Sequence, residues 1–241
     1  MRSDKNLKIY FIDVGQGDAT LIITPKGRSI LIDGGDESEG KMLIAYLLDR
    51  GITKIDYMFC SHFDSDHIGG LIQVIKEIKV HQIIISKQGE DSGNFRKFME
   101  IVKEKGIKIQ LVNKCDKLQV EKSLYFDIIW PNDEKLISEN VLNNNSIVCN
   151  LHYNSFSMMF TGDIESIAEN QILQEYKYNL KIIKASILKV GHHGSKTSSI
   201  QEFIEGVKPE IALIGVGRNN KFGHPSDEVI ERLESLRYKN L

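Results

Sequence analysis

Ser61-His62-Phe63-Asp64-Ser65-Asp66-His67-Ile68-Gly69-Gly70 decides how this chain is read. Four side chains able to ligate a metal, His62, Asp64, Asp66 and His67, fall within six residues. The apolar run before them, Tyr57-Met58-Phe59-Cys60, reads as a buried strand. After them Ile68, Leu71, Ile72, Ile75 and Ile78 recur at helical spacing. A strand-to-helix loop this rich in carboxylates and imidazoles suffers repulsion and desolvation unless a cation gathers it. That weighs against a merely solvated acidic turn.

Four further segments extend the pattern in order. They are Phe11-Ile12-Asp13-Val14-Gly15-Gln16-Gly17-Asp18, Phe160-Thr161-Gly162-Asp163, Leu188-Lys189-Val190-Gly191-His192-His193-Gly194-Ser195 and Gly223-His224-Pro225. Together the five resemble the metallo-β-lactamase fold, a superfamily of mostly hydrolytic metalloenzymes with the signature His-x-His-x-Asp-His. Asp64 stands at the second His of that signature. This variant, with its trailing Ile-Gly-Gly, resembles the soluble domain of ComEC-type DNA-uptake proteins. The likeness runs from residue 7 to about residue 236. It implies an α/β architecture, a four-layer αββα sandwich, as a single domain over residues 1–241.

The resemblance also implies a ligand set. His62 and Asp64 bind one ion, Asp66 and His67 a second, and Asp163 bridges them; one of His192 and His193 completes the second site. An anionic oxygen between two dications offsets their repulsion, and the ions lower the pKa of a shared water toward ~7, giving hydroxide at neutral pH. In the family the first ion also receives a His from just before the hairpin that ends in the bridging Asp. Here Asn143-Asn144-Asn145-Ser146 stands there, and His152 lies inside the expected hairpin strand. The first site is therefore expected to be oxygen-rich and weak. Zn²⁺ or Mn²⁺, as one or two ions, is the expected cofactor.

Neighbouring side chains on an extended segment point opposite ways. One of His192 and His193 is thus expected to ligate and the other to face substrate, and the sequence leaves open which. His224, with Pro225 and the helix-capping Ser226 behind it, reads as a substrate-side proton donor or phosphate contact, weighed against a structural turn histidine. Asp66 and His224 are the expected catalytic residues, and Ser195 and Asn220 are expected to touch substrate. Lys196, Arg218 and Lys221 offer positive charge to a phosphate. No helical pattern follows Gly15-Gln16-Gly17-Asp18, which reads as a tight turn beneath the site rather than an anion cradle. Asp33 reads as a support behind the ligands.

The remaining pattern is strands and interleaved helices. Strands are expected at residues 7–12, 19–24, 29–33, 82–86, 108–112, 124–130, 147–153, 156–161, 185–190 and 211–216. Helices are expected at 41–50, 68–78, 94–104, 166–176, 198–207 and 226–237. Residues 87–94 and the Asn-rich 131–145 read as mobile loops. Composition sets bounds on function. The chain is 41% hydrophobic with a formal net charge of −2, which lacks the basic footprint of a nonspecific nucleic-acid binder. Its three cysteines suggest no disulfide framework and a reducing compartment. No run approaches the roughly 20 apolar residues of a membrane helix. No membrane segment and a cytoplasmic location are the expectations, and the oligomeric state has no signature.

The function expected is a metal-dependent hydrolase acting on phosphodiesters, with nucleic acid as substrate by resemblance. A small phosphodiester is the second reading, because phosphorylcholine esterases of this fold look similar around His-His-Gly. A noncatalytic metal-binding regulatory module is a third, favoured by the missing first-site His and opposed by the other ligands. The fold itself does not imply β-lactam hydrolysis.

Overall fold

The computed structural model describes residues 6–88 and 92–238. Of the loop expected at 87–94, residues 89–91 lie outside the described residues, as do Met1 to Lys5 and residues 239–241. The chain forms two compact units, Met1–Val112 and Asn113–Leu241.

The first unit carries a six-stranded sheet in the order β1-β2-β3-β4-β5-β6. Strands β1 (Lys8–Phe11), β2 (Thr20–Ile23) and β3 (Ser29–Ile32) form an antiparallel meander. Strands β4 (Lys54–Phe59), β5 (Lys79–Ser86) and β6 (Lys108–Val112) continue in parallel. Parallel neighbours need crossovers, and α1 (Gly40–Asp49), α2 (Ser65–Glu77) and α3 (Gly93–Glu104) supply them. In α2 the apolar stripe Ile68, Leu71, Ile72 and Ile75 is buried. Each such side chain contributes about 1.5–3 kcal/mol.

The second unit builds its sheet in the order β12-β11-β10-β9-β8-β7. Strands β7 (Lys117–Glu121), β8 (Leu124–Trp130), β9 (Val148–Tyr153) and β10 (Phe156–Phe160) are antiparallel. Strands β11 (Ile187–Lys189) and β12 (Ile211–Leu213) then run parallel to β10. The helices are α4 (Val141–Asn144), α5 (Ser166–Glu175), α6 (Gln201–Val207) and α7 (Asp227–Tyr238). Trp130, Met159, Ile164, Ala168, Ile172, Phe203 and Val207 share one buried core. Among the described residues no helix is long and apolar enough to cross a membrane.

Three sequence expectations need correction. β7 was absent from the expected strands. The helix expected from Ser198 starts at Gln201, because Ser199 has φ +56°, outside the helical region. The Asn-rich stretch is not a free loop. The Trp130 indole N–H donates to the Asn144 carbonyl at 2.8 Å, and Asn145 accepts from the Ile137 N–H at 2.9 Å while its amide donates to the Ile137 and Val141 carbonyls. Buried asparagines are satisfied here by backbone, which ties the segment down.

Glu169 of α5 caps the start of α6 from a distance, accepting from the N–H groups of Ser199 (2.6 Å) and Ile200 (2.9 Å). Burial pushes its carboxyl up to about 8, against the two N–H donors and the Arg232 charge, with Glu165 adding to the rise. The folded state therefore binds a proton that the unfolded chain releases near 4.5. Stability from this group is full below that value and is lost as pH rises toward about 8. Glu169→Gln should flatten the decline between those limits. Urea midpoints measured across that range test this, and parallel curves for the two proteins would refute it.

Candidate functional site

In the first unit the site residues lie beyond the C-terminal ends of β3 and β4 and in the first turn of α2. Asp33 follows β3 with φ +56°, a left-handed conformation that a non-glycine residue adopts at a cost of about 1–3 kcal/mol. Its buried carboxylate accepts three hydrogen bonds: Ser61 N–H at 2.8 Å, Ser61 hydroxyl at 2.7 Å and His67 Nδ1 at 3.0 Å. Because the Ser61 hydroxyl donates to Asp33, its oxygen accepts from His62 Nδ1, 3.0 Å away. Both imidazoles therefore carry their proton on Nδ1 and their lone pair on Nε2. The two buried rings lie 4.1 Å apart, centroid to centroid. Burial raises the Asp33 pKa, but the electrostatic pull and hydrogen bond of the His67 ring, with His62 and the Ser61 N–H, hold it below the usual carboxylate value.

Glycines make this arrangement possible. A Cβ at Gly70 would sit 1.8 Å from the Gly34 carbonyl oxygen, and one at Gly69 would sit 2.4 Å from the Glu37 nitrogen. Ile-Gly-Gly thus lets α2 lie directly on the loop that carries Asp33. Gly17 plays the same part for Asp18: its Cβ would meet the Asp66 carbonyl oxygen at 2.4 Å. Asp18 is buried and comes within 4.0 Å of His67 Nδ1. Asp64 Oδ2 is 3.6 Å from His62 Nε2, with the Asp64 side chain 42% exposed. Asp66 is half-buried in the first turn of α2, and its carbonyl accepts from the Asp18 N–H at 3.3 Å.

In the second unit Asp163 follows β10, and its N–H donates to Ser146 Oγ at 3.3 Å. Its Oδ2 lies 3.2 Å from His193 Nε2, and its Oδ1 lies 3.7 Å from the buried Lys189 ammonium. His193 Nδ1 donates to the Gly215 carbonyl at 2.9 Å, so this ring too has its lone pair on Nε2. The His192-His193 segment is not extended, as the sequence reading assumes. Both residues are left-handed, with φ +48° and +55°, and their ring centroids lie 6.3 Å apart. The turn points His193 at Asp163. It points His192 toward Glu165 (Nδ1 to Oε1, 3.5 Å), Asn143 (3.5 Å) and the His224 ring (centroids 5.8 Å).

Glu165 is a second hub. It accepts from Thr197 Oγ1 at 2.7 Å and from Asn140 and Asn144 at 2.6 and 3.3 Å. His224 is held against the histidine turn because Gly194 leaves room for Pro225; a Cβ there would come within 2.7 Å of the proline. Burial lowers the His224 pKa, and the neighbouring His192 and His193 rings lower it further, against Asp163. Ser195 is buried, with its hydroxyl 3.0 Å from that of Thr197. Asn220 binds the backbone of its own loop at both ends of its amide. Both expected substrate contacts thus engage neighbours within their own turns. His152 lies in β9 beside Asp127, at 3.3 Å, and stacks on Tyr125.

Asp18, which the sequence reading assigns only to a turn, is the notable addition. The signal for it was Gly17, a residue favoured where φ is positive or backbones approach closely, and both hold here. In each unit, buried imidazoles with Nδ1 anchored and Nε2 carrying the lone pair stand with buried carboxylates, a nitrogen–oxygen donor chemistry suited to Zn, Mn or Fe.

Comparison with known proteins identifies the family of this chain. The chain is 32% identical to ComE operon protein 3 of Bacillus subtilis (strain 168), covering 94% of this chain and 30% of that protein. It is 30% identical to Recombination protein 2 of Haemophilus influenzae, covering 95% of this chain and 26% of that one. The chain thus spans less than a third of the length of these relatives. Among solved structures, CmlA, a diiron beta-hydroxylase from Streptomyces venezuelae, matches with a TM-score of 0.62 at 13% identity, over 98% of this chain and 51% of that one. Zn(2+)-bound PqqB from Methylobacterium extorquens matches with a TM-score of 0.52 at 8% identity, over 92% and 83%. At these identities the likeness concerns the fold. The metallo-beta-lactamase superfamily model matches residues 12–218, and the chain belongs to that superfamily.

Proposed function

We propose that this chain is a metal-dependent hydrolase of phosphodiesters. Asp18, His67, Asp163 and His193 are the proposed ligands of the better-held ion. His62 and Asp64 are the proposed ligands of a weaker neighbour, with Zn²⁺ or Mn²⁺ as candidates. The observation that carries the reading is the anchoring of His62, His67 and His193 through Nδ1. Such supports fix tautomer and ring direction and raise ligand basicity. A bound divalent ion supplies Lewis acidity toward water and phosphate oxygens.

The protein's own groups then divide the work. Asp33 holds His67 and, through Ser61, His62. Lys189 sets the orientation of Asp163. His224, whose lowered pKa makes its protonated form the stronger acid, is the proposed proton donor to a leaving oxygen. The name Recombination protein 2 among the relatives supports nucleic acid as substrate. The formal charge of −2 keeps a small phosphodiester as the second reading.

Metal analysis of the purified protein, then assays on single-stranded DNA, duplex DNA and bis-p-nitrophenyl phosphate with Mn²⁺ and Zn²⁺, tests the proposal. Cleavage should vanish with chelator and return with metal. Metal-replete protein that cleaves none of these substrates would transfer the case to a noncatalytic module. Asp33→Asn removes one of the acceptor oxygens behind the histidines without touching a proposed ligand. It should weaken metal binding by about 10–100-fold in a chelator competition, and unchanged affinity would count against the hub. Asp163→Ala should lose metal and activity together. His224→Ala should cut turnover by about 10²–10⁴-fold at unchanged metal content; loss of metal instead would make His224 a ligand.

A further inference from the structure

Phe222 has no part in the chemistry proposed above, yet the structure holds it with care. Its side chain is 68% exposed. The loop beneath it is braced by Asn220, whose amide donates to the carbonyls of Gly217 (3.0 Å) and His224 (2.7 Å). The Asn220 side-chain oxygen accepts from the N–H groups of Phe222 (3.1 Å) and His224 (3.1 Å). Gly223, at φ +70°, turns the chain between the two rings. Phe222 and His224 consequently stack, with centroids 5.7 Å apart and planes 18° from parallel. His224 in turn reaches the His192 ring at 5.8 Å.

An exposed phenyl gains little from the hydrophobic effect, and a braced loop is a poor place to leave one without use. Its sequence neighbours Lys221 and Gly223 are exposed, as is Arg218. A protein partner or a lipid surface needs contiguous apolar area, which a single ring among polar and glycine residues does not offer. One face of the ring meets His224, and the side chain's large exposure leaves the other to solvent. A flat, exposed ring suits stacking on a flat ligand, and the exposed Lys221 and Arg218 of the same loop suit an anionic one.

We propose that Phe222 is a stacking platform for a nucleobase of single-stranded nucleic acid. It would set a base beside His224 and so favour strands with free bases over duplex or abasic ones. The proposal rests on the phosphodiesterase reading only for the bond that is cut. Single strands are favoured because their bases are free to stack, and aromatic platforms accept any base.

Fluorescence anisotropy on the Mn²⁺-loaded protein tests this. The probes are a short cleavage-resistant phosphorothioate oligothymidine and an abasic phosphorothioate strand of equal length. Wild type should bind the thymidine strand roughly 5- to 150-fold more tightly than the abasic one, the range for one stacked base. Phe222→Ala should erase that preference and Phe222→Trp should keep it. Equal binding of both strands by wild type, binding of neither, or a preference that survives Phe222→Ala would each overturn the platform. Hydrolysis of bis-p-nitrophenyl phosphate by the same preparation reports on the phosphodiesterase reading separately. Base-dependent binding without hydrolysis leaves the platform and removes that reading; hydrolysis without base preference does the reverse.

Discussion

The buried carboxylate of Asp33 is the constraint on which the first unit depends. A charge taken out of water is costly unless it is paired and hydrogen-bonded. Asp33 meets that condition with one backbone N–H, one hydroxyl and one imidazole. Each donor then has its own geometry fixed in return. Ser61 is locked at the end of β4, which fixes His62, and His67 is locked in the first turn of α2. The left-handed backbone at Asp33 and the two glycines of α2 follow from the same demand. The carboxylate has to reach the helix, so neither chain can keep side chains between them.

The second unit solves a similar problem with backbone strain. Two successive left-handed histidines are costly, and such conformations persist only where surroundings over-determine them. Here the surroundings are visible. His193 is held by the Gly215 carbonyl, and His192 faces Glu165, which Thr197, Asn140 and Asn144 hold in place. The strain aims adjacent side chains at different targets, one toward Asp163 and one toward His224.

Much of this was legible in the sequence, and the failures have physical causes. Alternation and helical spacing located β6 and β8 at their observed bounds and α2 within three residues. β7 escaped because Lys117 and Gln119 make its outward positions polar, as suits an edge strand, and Glu121 breaks its alternation. The Asn-rich stretch read as a loop because asparagine favours turns. Burial turned those amides into braces, which no local pattern announces. The His-x-Asp-x-Asp-His run marked the site, but Asp18 and the division of roles between His192 and His193 did not show. Both depend on dihedral angles and close backbone approaches rather than on residue type.

Topology explains why so few residues suffice in each unit. Parallel strands joined by helical crossovers present their C-terminal ends at one edge of the sheet. Asp33 and His62 follow the parallel neighbours β3 and β4, and Asp163, His193 and Gly215 follow β10, β11 and β12. The meander strands at the other side of each sheet contribute width and core. Chemistry therefore concentrates in short segments just past strand ends, where a loop can take up left-handed angles without breaking a ladder. The sheet supplies the rigidity that those segments lack. A loop carrying this many buried polar groups could not hold its geometry alone, and a sheet edge without such loops would have no donors to offer.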